Sequence, residues 1–152
     1  IGDSAFRNTK LTSVTIPNSV ETIGDYTFAY CGSLTSVTID NIVTTIGDSA
    51  FRNTGLTSVT IPNSVTTIGN FTFSYTGLTS VTIGNSVTTI GNYAFYNCTA
   101  LTSVTMYEGI TTFSSLAFRD CTSLTSVTVY YTDNQPNYDS YIPITITYLK
   151  MP

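Results

Sequence analysis

The sequence predicts a repeat solenoid, in which a parallel β-sheet covers one face and short extended or helical segments cover the other. Three observations predict this fold. The segment LTSVTIPNSVTTIG (residues 56–69) recurs with small changes, its copies begin 22 or 23 residues apart, and each copy has the apolar spacing of a short strand. Such self-similarity is typical of solenoids, because a repeat of this kind buries its apolar side only against its neighbours.

Six leucines mark where the copies begin, and they lie 23, 22, 22, 23 and 23 residues apart. They are Leu11, Leu34, Leu56, Leu78, Leu101 and Leu124. This period lies within the range of about 20–29 residues that is typical of leucine-rich repeats. Residues 1–10 match only the second half of a repeat, so we expect an N-terminal cap to be absent from this chain.

Each copy begins with a short strand. In the copy that begins at Leu56, Val59 and Ile61 lie two residues apart and share one face, whereas Ser58 and Thr60 point to the other. A proline follows and ends the strand, because proline cannot donate to a β-ladder. Apolar residues four and seven positions after Ile61 predict a second extended segment, which a glycine ends.

Residue types that cap helices follow the second extended segment. They are Asp3, Asp25, Asp48, Asn70, Asn92 and Ser115. Because such side chains accept hydrogen bonds from the free amides of a helix start, we expect at most about one and a half helical turns there. A phenylalanine anchors this segment in every copy. The three aspartates could also form a calcium-binding row, but asparagine fills the same position without charge, which favours capping.

The residue three positions after each phenylalanine changes with repeat length. It is Cys31, Cys98 or Cys121 where one extra residue precedes the next leucine, and threonine in the shorter repeats. The two loop lengths therefore predict two packing arrangements at one buried site. We interpret the cysteines as buried free thiols. A Cys98–Cys121 disulfide between equivalent positions of adjacent repeats, or a reactive thiol, is the alternative.

The repeat pattern ends after Val129. The segment that follows holds five of the eleven tyrosines and alternates isoleucine with threonine from Ile144 to Tyr148, which predicts a strand. We predict a leucine-rich-repeat solenoid over residues 1–129, with a partial first repeat, and a C-terminal cap over residues 130–152. The alternative for residues 130–152 is the start of a following module.

The first full copy carries a recognisable family pattern. Its matching residues are Leu11, Val14, Ile16, Pro17, Ser19, Val20, Ile23, Gly24, Phe28 and Cys31. In these positions the chain resembles the BspA-like (TpLRR-type) leucine-rich repeats. The resemblance implies a leucine-rich-repeat right-handed superhelix of about six repeats. Members of this family are typically bacterial or protist surface or secreted proteins and several look like adhesins, so the resemblance also implies an extracellular or cell-surface location.

Composition and charge exclude several functions. Only 9% of residues are charged and the net charge is −4, which leaves too few cations to neutralise a nucleic acid backbone. The absence of histidine removes His-dependent triads and the commonest metal ligand. No apolar run approaches the roughly 20 residues of a membrane-spanning helix. We therefore expect no enzymatic activity in these residues, no cofactor or metal, no nucleic acid partner and no membrane insertion.

The outward side of the predicted sheet carries the candidate binding residues. They are Ser13, Thr15, Ser36, Thr38, Ser58, Thr60, Ser80, Thr82, Ser103, Thr105, Ser126 and Thr128. One interpretation is that small hydroxyl and β-branched residues merely suit a solvated strand face. A binding surface for protein or glycan on the concave side is the second, and a surface that orders water is the third.

These observations and the family resemblance favour a non-enzymatic adhesion or recognition module that binds an extracellular protein or glycan through the sheet face. A structural spacer, or a filament segment that self-associates through an exposed N-terminal end, is one alternative. A targeting domain attached to an enzyme outside these residues is the other.

Overall fold

The computed structural model describes residues 1–142 and 144–151, which form twelve strands and no helix. The strands are β1 (Ser13–Ile16), β2 (Thr22–Ile23), β3 (Ser36–Ile39), β4 (Thr45–Ile46), β5 (Ser58–Thr60), β6 (Thr67–Ile68), β7 (Ser80–Thr82), β8 (Thr89–Ile90), β9 (Ser103–Tyr107), β10 (Thr112–Phe113), β11 (Ser126–Tyr131) and β12 (Ile146–Lys150). All pairings are parallel and join equivalent residues of adjacent repeats, except that β12 pairs with β11 outside the repeat pattern. The predicted solenoid is therefore confirmed.

The first strand of each repeat builds one face of the solenoid. Strands β5, β7, β9, β11 and β12 form one sheet, and β1 and β3 form a separate pair. The predicted alternation is present: Val59 is 6% exposed, whereas Ser58 and Thr60 on either side of it are exposed. We call the side that carries these hydroxyl residues the sheet face.

The second extended segment of each repeat builds a second sheet. Strands β2, β4, β6, β8 and β10, of two residues each, pair without interruption. The apolar residues predicted to enter the core from this segment do so, since Val65 and Ile68 are fully buried.

The predicted helical segments are wrong, because each phenylalanine lies in a succession of turns. Ser49 and Asn53, on either side of Phe51, adopt left-handed φ angles of 57° and 54°. The amide of Phe51 then donates to the carbonyl of Thr72 in the next repeat (2.9 Å), while the amide of Arg52 bonds within its own turn. A helix would direct every amide to its own preceding turn. Hydrogen bonding to the next repeat thus prevails over a short helix, which is only marginally stable.

The side chains predicted as helix N-caps instead bond across repeats. Oδ1 of Asp48 accepts a hydrogen bond from the amide of Asn70 at 2.7 Å, and Oδ1 of Asn70 accepts one from the amide of Asn92 at 2.8 Å. The three aspartates are linked in the same way. Ser114, and not the predicted Ser115, ends this row, with its Oγ 2.6 Å from Oδ1 of Asn92. These side chains accept hydrogen bonds from backbone amides as predicted, but the donating amide belongs to the next repeat and not to a helix start.

A column of stacked phenylalanines runs through the core. Consecutive ring centroids lie 5.3, 5.3, 5.4, 5.4 and 5.0 Å apart. The column consists of Phe6, Phe28, Phe51, Phe73, Phe95 and Phe118. Its four middle members are fully buried, whereas Phe6 is 39% exposed. Each turn of the solenoid thus contributes one ring to the column.

The segment after Val129 packs onto the last repeats. Strand β12 begins at Ile146, two residues later than the predicted strand, and pairs with β11. The buried hydroxyl of Tyr138 lies 3.1 Å from the amide of Ile110, which donates to it. Burial raises the pKa of Tyr138. The Oη atom of Tyr148 accepts a hydrogen bond from the amide of Tyr138 at 2.8 Å.

Candidate binding surfaces

The predicted hydroxyl residues lie in two rows on the sheet face. Serine pairs with serine and threonine with threonine wherever neighbouring first strands are paired. Of the twelve predicted residues, Ser103, Thr105 and Thr128 are half-buried and the others are exposed. The rows contain no charged side chain, so any ligand on this face meets neutral donors and acceptors. The role of these residues in binding stays a prediction.

The ladder of first strands is interrupted once, between β3 and β5. At the four other junctions along the array, the second residue of the copy donates its amide to the equivalent carbonyl of the preceding repeat, as Thr79 does to Thr57 at 2.9 Å. The corresponding bond from Thr57 to Thr35 is missing from this fully described segment. Because Cα atoms of the two strands still approach within 8 Å, the opening is too narrow for an inserted strand, which would separate them by about twice the 4.8 Å ladder spacing.

A groove of about 270 Å³ occupies this interruption. The hydroxyl-bearing residues Ser36, Thr38, Ser58 and Thr60 line it, together with the flanks of the two strands. Ile39 is half-buried there, whereas its counterparts in the neighbouring repeats are buried. The groove therefore combines unpaired strand edges, neutral hydroxyl groups and a small apolar floor.

The cysteine and threonine site shows the two predicted packing arrangements. The threonine hydroxyl bonds to the phenylalanine carbonyl of its own repeat, as Thr76 does to Phe73 at 2.8 Å. The cysteine thiol instead donates to the phenylalanine carbonyl of the preceding repeat. Cys98 donates to the carbonyl of Phe73 at 3.2 Å, and Cys121 donates to that of Phe95 at 3.1 Å. All three cysteines are free thiols. The neighbouring thiol of Cys98 and burial both raise the pKa of the Cys121 thiol.

A second surface, formed by the phenylalanine turns, carries arginine and aromatic side chains in alternation. We call it the arginine–aromatic strip; it consists of Arg7, Tyr26, Tyr30, Arg52, Phe71 and Tyr75. The guanidinium carbon of Arg7 lies 5.4 and 5.3 Å from the ring centroids of Tyr26 and Tyr30. The guanidinium carbon of Arg52 lies 6.0, 5.4 and 5.4 Å from the ring centroids of Tyr30, Phe71 and Tyr75. These are cation–π distances.

The sequence contains a signal for this strip, but it lies outside the core positions that predict the fold. Arginine directly follows the phenylalanine in the first and third turns. Aromatic residues stand two positions before and two positions after it in the second and fourth turns. The aromatic positions are left-handed turn residues, and the outward direction of their side chains is evident only in three dimensions.

Among the described residues, no helix is long and apolar enough to cross a membrane, and no group of three or more acidic, cysteine or histidine side chains is placed to hold a metal ion.

The family resemblance can now be tested against known proteins. Residues 1–125 match the model of the BspA type leucine rich repeat region in six copies. The chain belongs to this family. The matched residues contain strands β1 to β10, the phenylalanine turns and the strip, whereas β11 and β12 lie beyond them. No curated protein sequence is significantly similar to this BspA-type chain.

Two solved structures of leucine-rich repeat proteins, with TM-scores of 0.73 and 0.50, share this fold. The T. pallidum leucine rich repeat protein TpLRR is 26% identical, with a TM-score of 0.73 over 87% of this chain and 66% of its own. A leucine-rich repeat protein from Eubacterium ventriosum is 17% identical, with a TM-score of 0.50 over 98% of this chain and 70% of its own. A leucine rich cell surface protein from Faecalibacterium prausnitzii is 20% identical, with a TM-score of 0.48 over 92% and 64%. The BspA-type chain thus spans just under two thirds of the first of these proteins.

Proposed function

We propose that this chain is a non-enzymatic recognition module at the cell surface or outside the cell, and that its sheet face binds a glycan. The observation that carries the proposal is the groove between β3 and β5. Membership of the BspA-type family supports the surface location, because the resemblance to this family implies surface or secreted proteins.

The chemistry of the groove favours a glycan over a folded protein. Its hydroxyl lining supplies uncharged hydrogen-bond donors and acceptors. The facing edges of β3 and β5 are not paired with each other. An unpaired backbone group near the protein interior gains from a ligand that donates or accepts in its place. The volume of about 270 Å³ lies just below the roughly 300–1,000 Å³ of drug-sized sites, which suits one sugar unit.

A protein partner would need a different surface. Stable protein interfaces cover about 800 Å² per partner and have a core enriched in aromatic residues. The hydroxyl rows supply neither aromatic nor other large apolar side chains. Tyr107 and Tyr130 do stack at the far end of the sheet face, with ring centroids 5.6 Å apart, but they lie outside the groove. The groove is therefore better suited to the neutral hydroxyl groups of a sugar chain.

Screening the chain against neutral oligosaccharides, followed by calorimetry of any ligand found, tests the proposal. We expect saturable binding, weakened about tenfold or more by Thr60→Lys, because the long cationic side chain would fill the groove. Thr99→Lys is the matched control, since Thr99 is an exposed threonine outside the sheet face. Its binding should equal that of the unmodified chain.

Two results would contradict the proposal. The first is that no neutral glycan binds while a protein partner does. The second is that Thr60→Lys and Thr99→Lys bind equally well, which would place the ligand away from the groove. Circular dichroism of both variants establishes that each retains the fold.

A further inference from the structure

We propose that the arginine–aromatic strip is a second binding site, and that it takes an acidic polysaccharide of β-1,4-linked uronic acid units. The strip lies on the turn surface and shares no residue with the groove of the sheet face. A test of this proposal is therefore independent of whether the hydroxyl rows bind a glycan.

The guanidinium groups of the strip are held in place but not neutralised. Stacking on aromatic rings uses the faces of the guanidinium plane and leaves its N–H edges available for hydrogen bonding. The Nε atom of Arg52 is buried and has no hydrogen-bond partner among the described residues. The residue as a whole is half-buried and lines a cavity, so the rest of its side chain is open to a bound acceptor. The planar fork of arginine matches a carboxylate.

The immediate surroundings of Arg52 form a shallow cavity. It has a volume of about 170 Å³ and is lined by Tyr30, Arg52, Asn53 and Tyr75. Tyr75 is 39% exposed, so its ring is available to a ligand as well as to the guanidinium group. The cavity thus places one cation between two aromatic side chains and beside an amide that both donates and accepts.

The spacing of the strip favours a polymer of sugar rings. Successive phenylalanine rings lie 5.3 Å apart at this end of the solenoid, and Arg7 and Arg52 are two turns apart. A β-1,4-linked pyranose unit is about as long as one such turn. Consecutive units face opposite ways, so every second carboxylate points to the same side. A uronic acid chain laid along the strip would therefore present a carboxylate at each arginine.

The aromatic members of the strip suit the units between those carboxylates. The face of a pyranose ring that carries its axial C–H bonds packs well against the electron-rich face of an aromatic ring. Tyr26 and Tyr30 lie between the two arginines, and Phe71 and Tyr75 follow Arg52. Phe71 in turn stacks on Tyr93, with centroids 4.9 Å apart, which extends the aromatic surface by one further turn.

An acidic peptide fits these observations less well. A flexible peptide would have no regular alternation of flat apolar faces and carboxylates at the spacing of the turns. The net charge of −4 also opposes indiscriminate binding of polyanions. Selectivity for the sugar chain over polyglutamate therefore separates this proposal from a general attraction to negative charge.

Calorimetry with an oligomer of β-1,4-linked mannuronate tests the proposal. We expect saturable binding, which should be lost with the matching β-1,4-linked mannose oligomer, because that chain replaces each carboxylate with a neutral hydroxymethyl group. Arg52→Gln should weaken binding about tenfold or more, the effect of losing a charged hydrogen-bonding group. Arg52→Lys should weaken it nearly as much, since lysine keeps the charge but not the planar fork.

Arg119→Gln is the matched control. Arg119 follows its phenylalanine as Arg52 does and is exposed, but its guanidinium group stacks on no aromatic ring of the described chain. Its replacement should leave binding unchanged. The proposal is overturned if the mannuronate oligomer does not bind at millimolar concentration, if the neutral oligomer or polyglutamate binds equally well, or if Arg119→Gln weakens binding as much as Arg52→Gln.

Discussion

Replacing Phe73 by alanine should lower the free energy of unfolding much more than replacing Phe6 by alanine. Phe73 is fully buried, and its ring centroid lies 5.4 Å from each of those of Phe51 and Phe95. Truncation of such a residue costs about 3–5 kcal/mol. Phe6 is 39% exposed and has one ring neighbour, Phe28, so we expect a loss of about 1–2 kcal/mol.

Urea denaturation followed by circular dichroism measures both losses. Phe73→Leu is the control, because it keeps most of the buried volume and removes only the aromatic stacking; its cost should fall between those of the two alanine variants. Because repeat arrays can lose two-state behaviour, the m-values must also be compared. Equal losses for Phe73→Ala and Phe6→Ala would refute the conclusion that each turn is stabilised mainly by its two neighbours.

Two further predictions follow from close packing and from burial. Gly84→Ala should destabilise the fold by about 1–3 kcal/mol, because the added methyl carbon would clash with the carbonyl oxygen of Pro62. Gly32→Ala should have little effect, since an added carbon there meets nothing within 4 Å, and equal melting temperatures for these two variants would contradict the packing argument. Burial raises the pKa of Tyr138, so its stabilising contribution is complete below the unfolded-state value of about 10 and is lost as the pH rises through the folded-state pKa. Tyr138→Phe should therefore lower stability by about 0.5–1.5 kcal/mol near neutral pH, through loss of the hydrogen bond from the amide of Ile110, and should reduce the decline above about pH 10. Identical alkaline slopes in unfolding curves of the variant and the unmodified chain would argue against this.

Strand positions and core residues were predictable because alternation is a local property of the chain. Val59 and Ile61 identify the buried side of their strand without reference to any other repeat. The helical segments were not predictable in the same way. The sequence Asp48-Ser49-Ala50 contains good capping chemistry, but the amide of Ser49 donates to the carbonyl of Asn70 in the following repeat.

The candidate surfaces differ in how far the sequence reveals them. Alignment of the hydroxyl rows follows from repeating one spacing, so Ser58 and Ser80 had to become neighbours once the solenoid formed. The groove does not follow from the strand sequences, because residues 34–38 and 56–60 are both LTSVT and yet fail to pair. The arginine–aromatic strip depends on left-handed residues such as Tyr30 and Tyr75, whose φ angles no single repeat predicts.

The interruption between β3 and β5 also has a mechanical consequence. The two repeats on the N-terminal side remain joined to the rest through the pairing of β4 with β6 and through the stacking of Phe51 on Phe73. On the sheet face, however, no strand pairing resists their separation. The array is therefore two blocks joined along one side, and its curvature can change there by rotation of one block against the other. Such a rotation would widen or narrow the groove without unfolding any repeat.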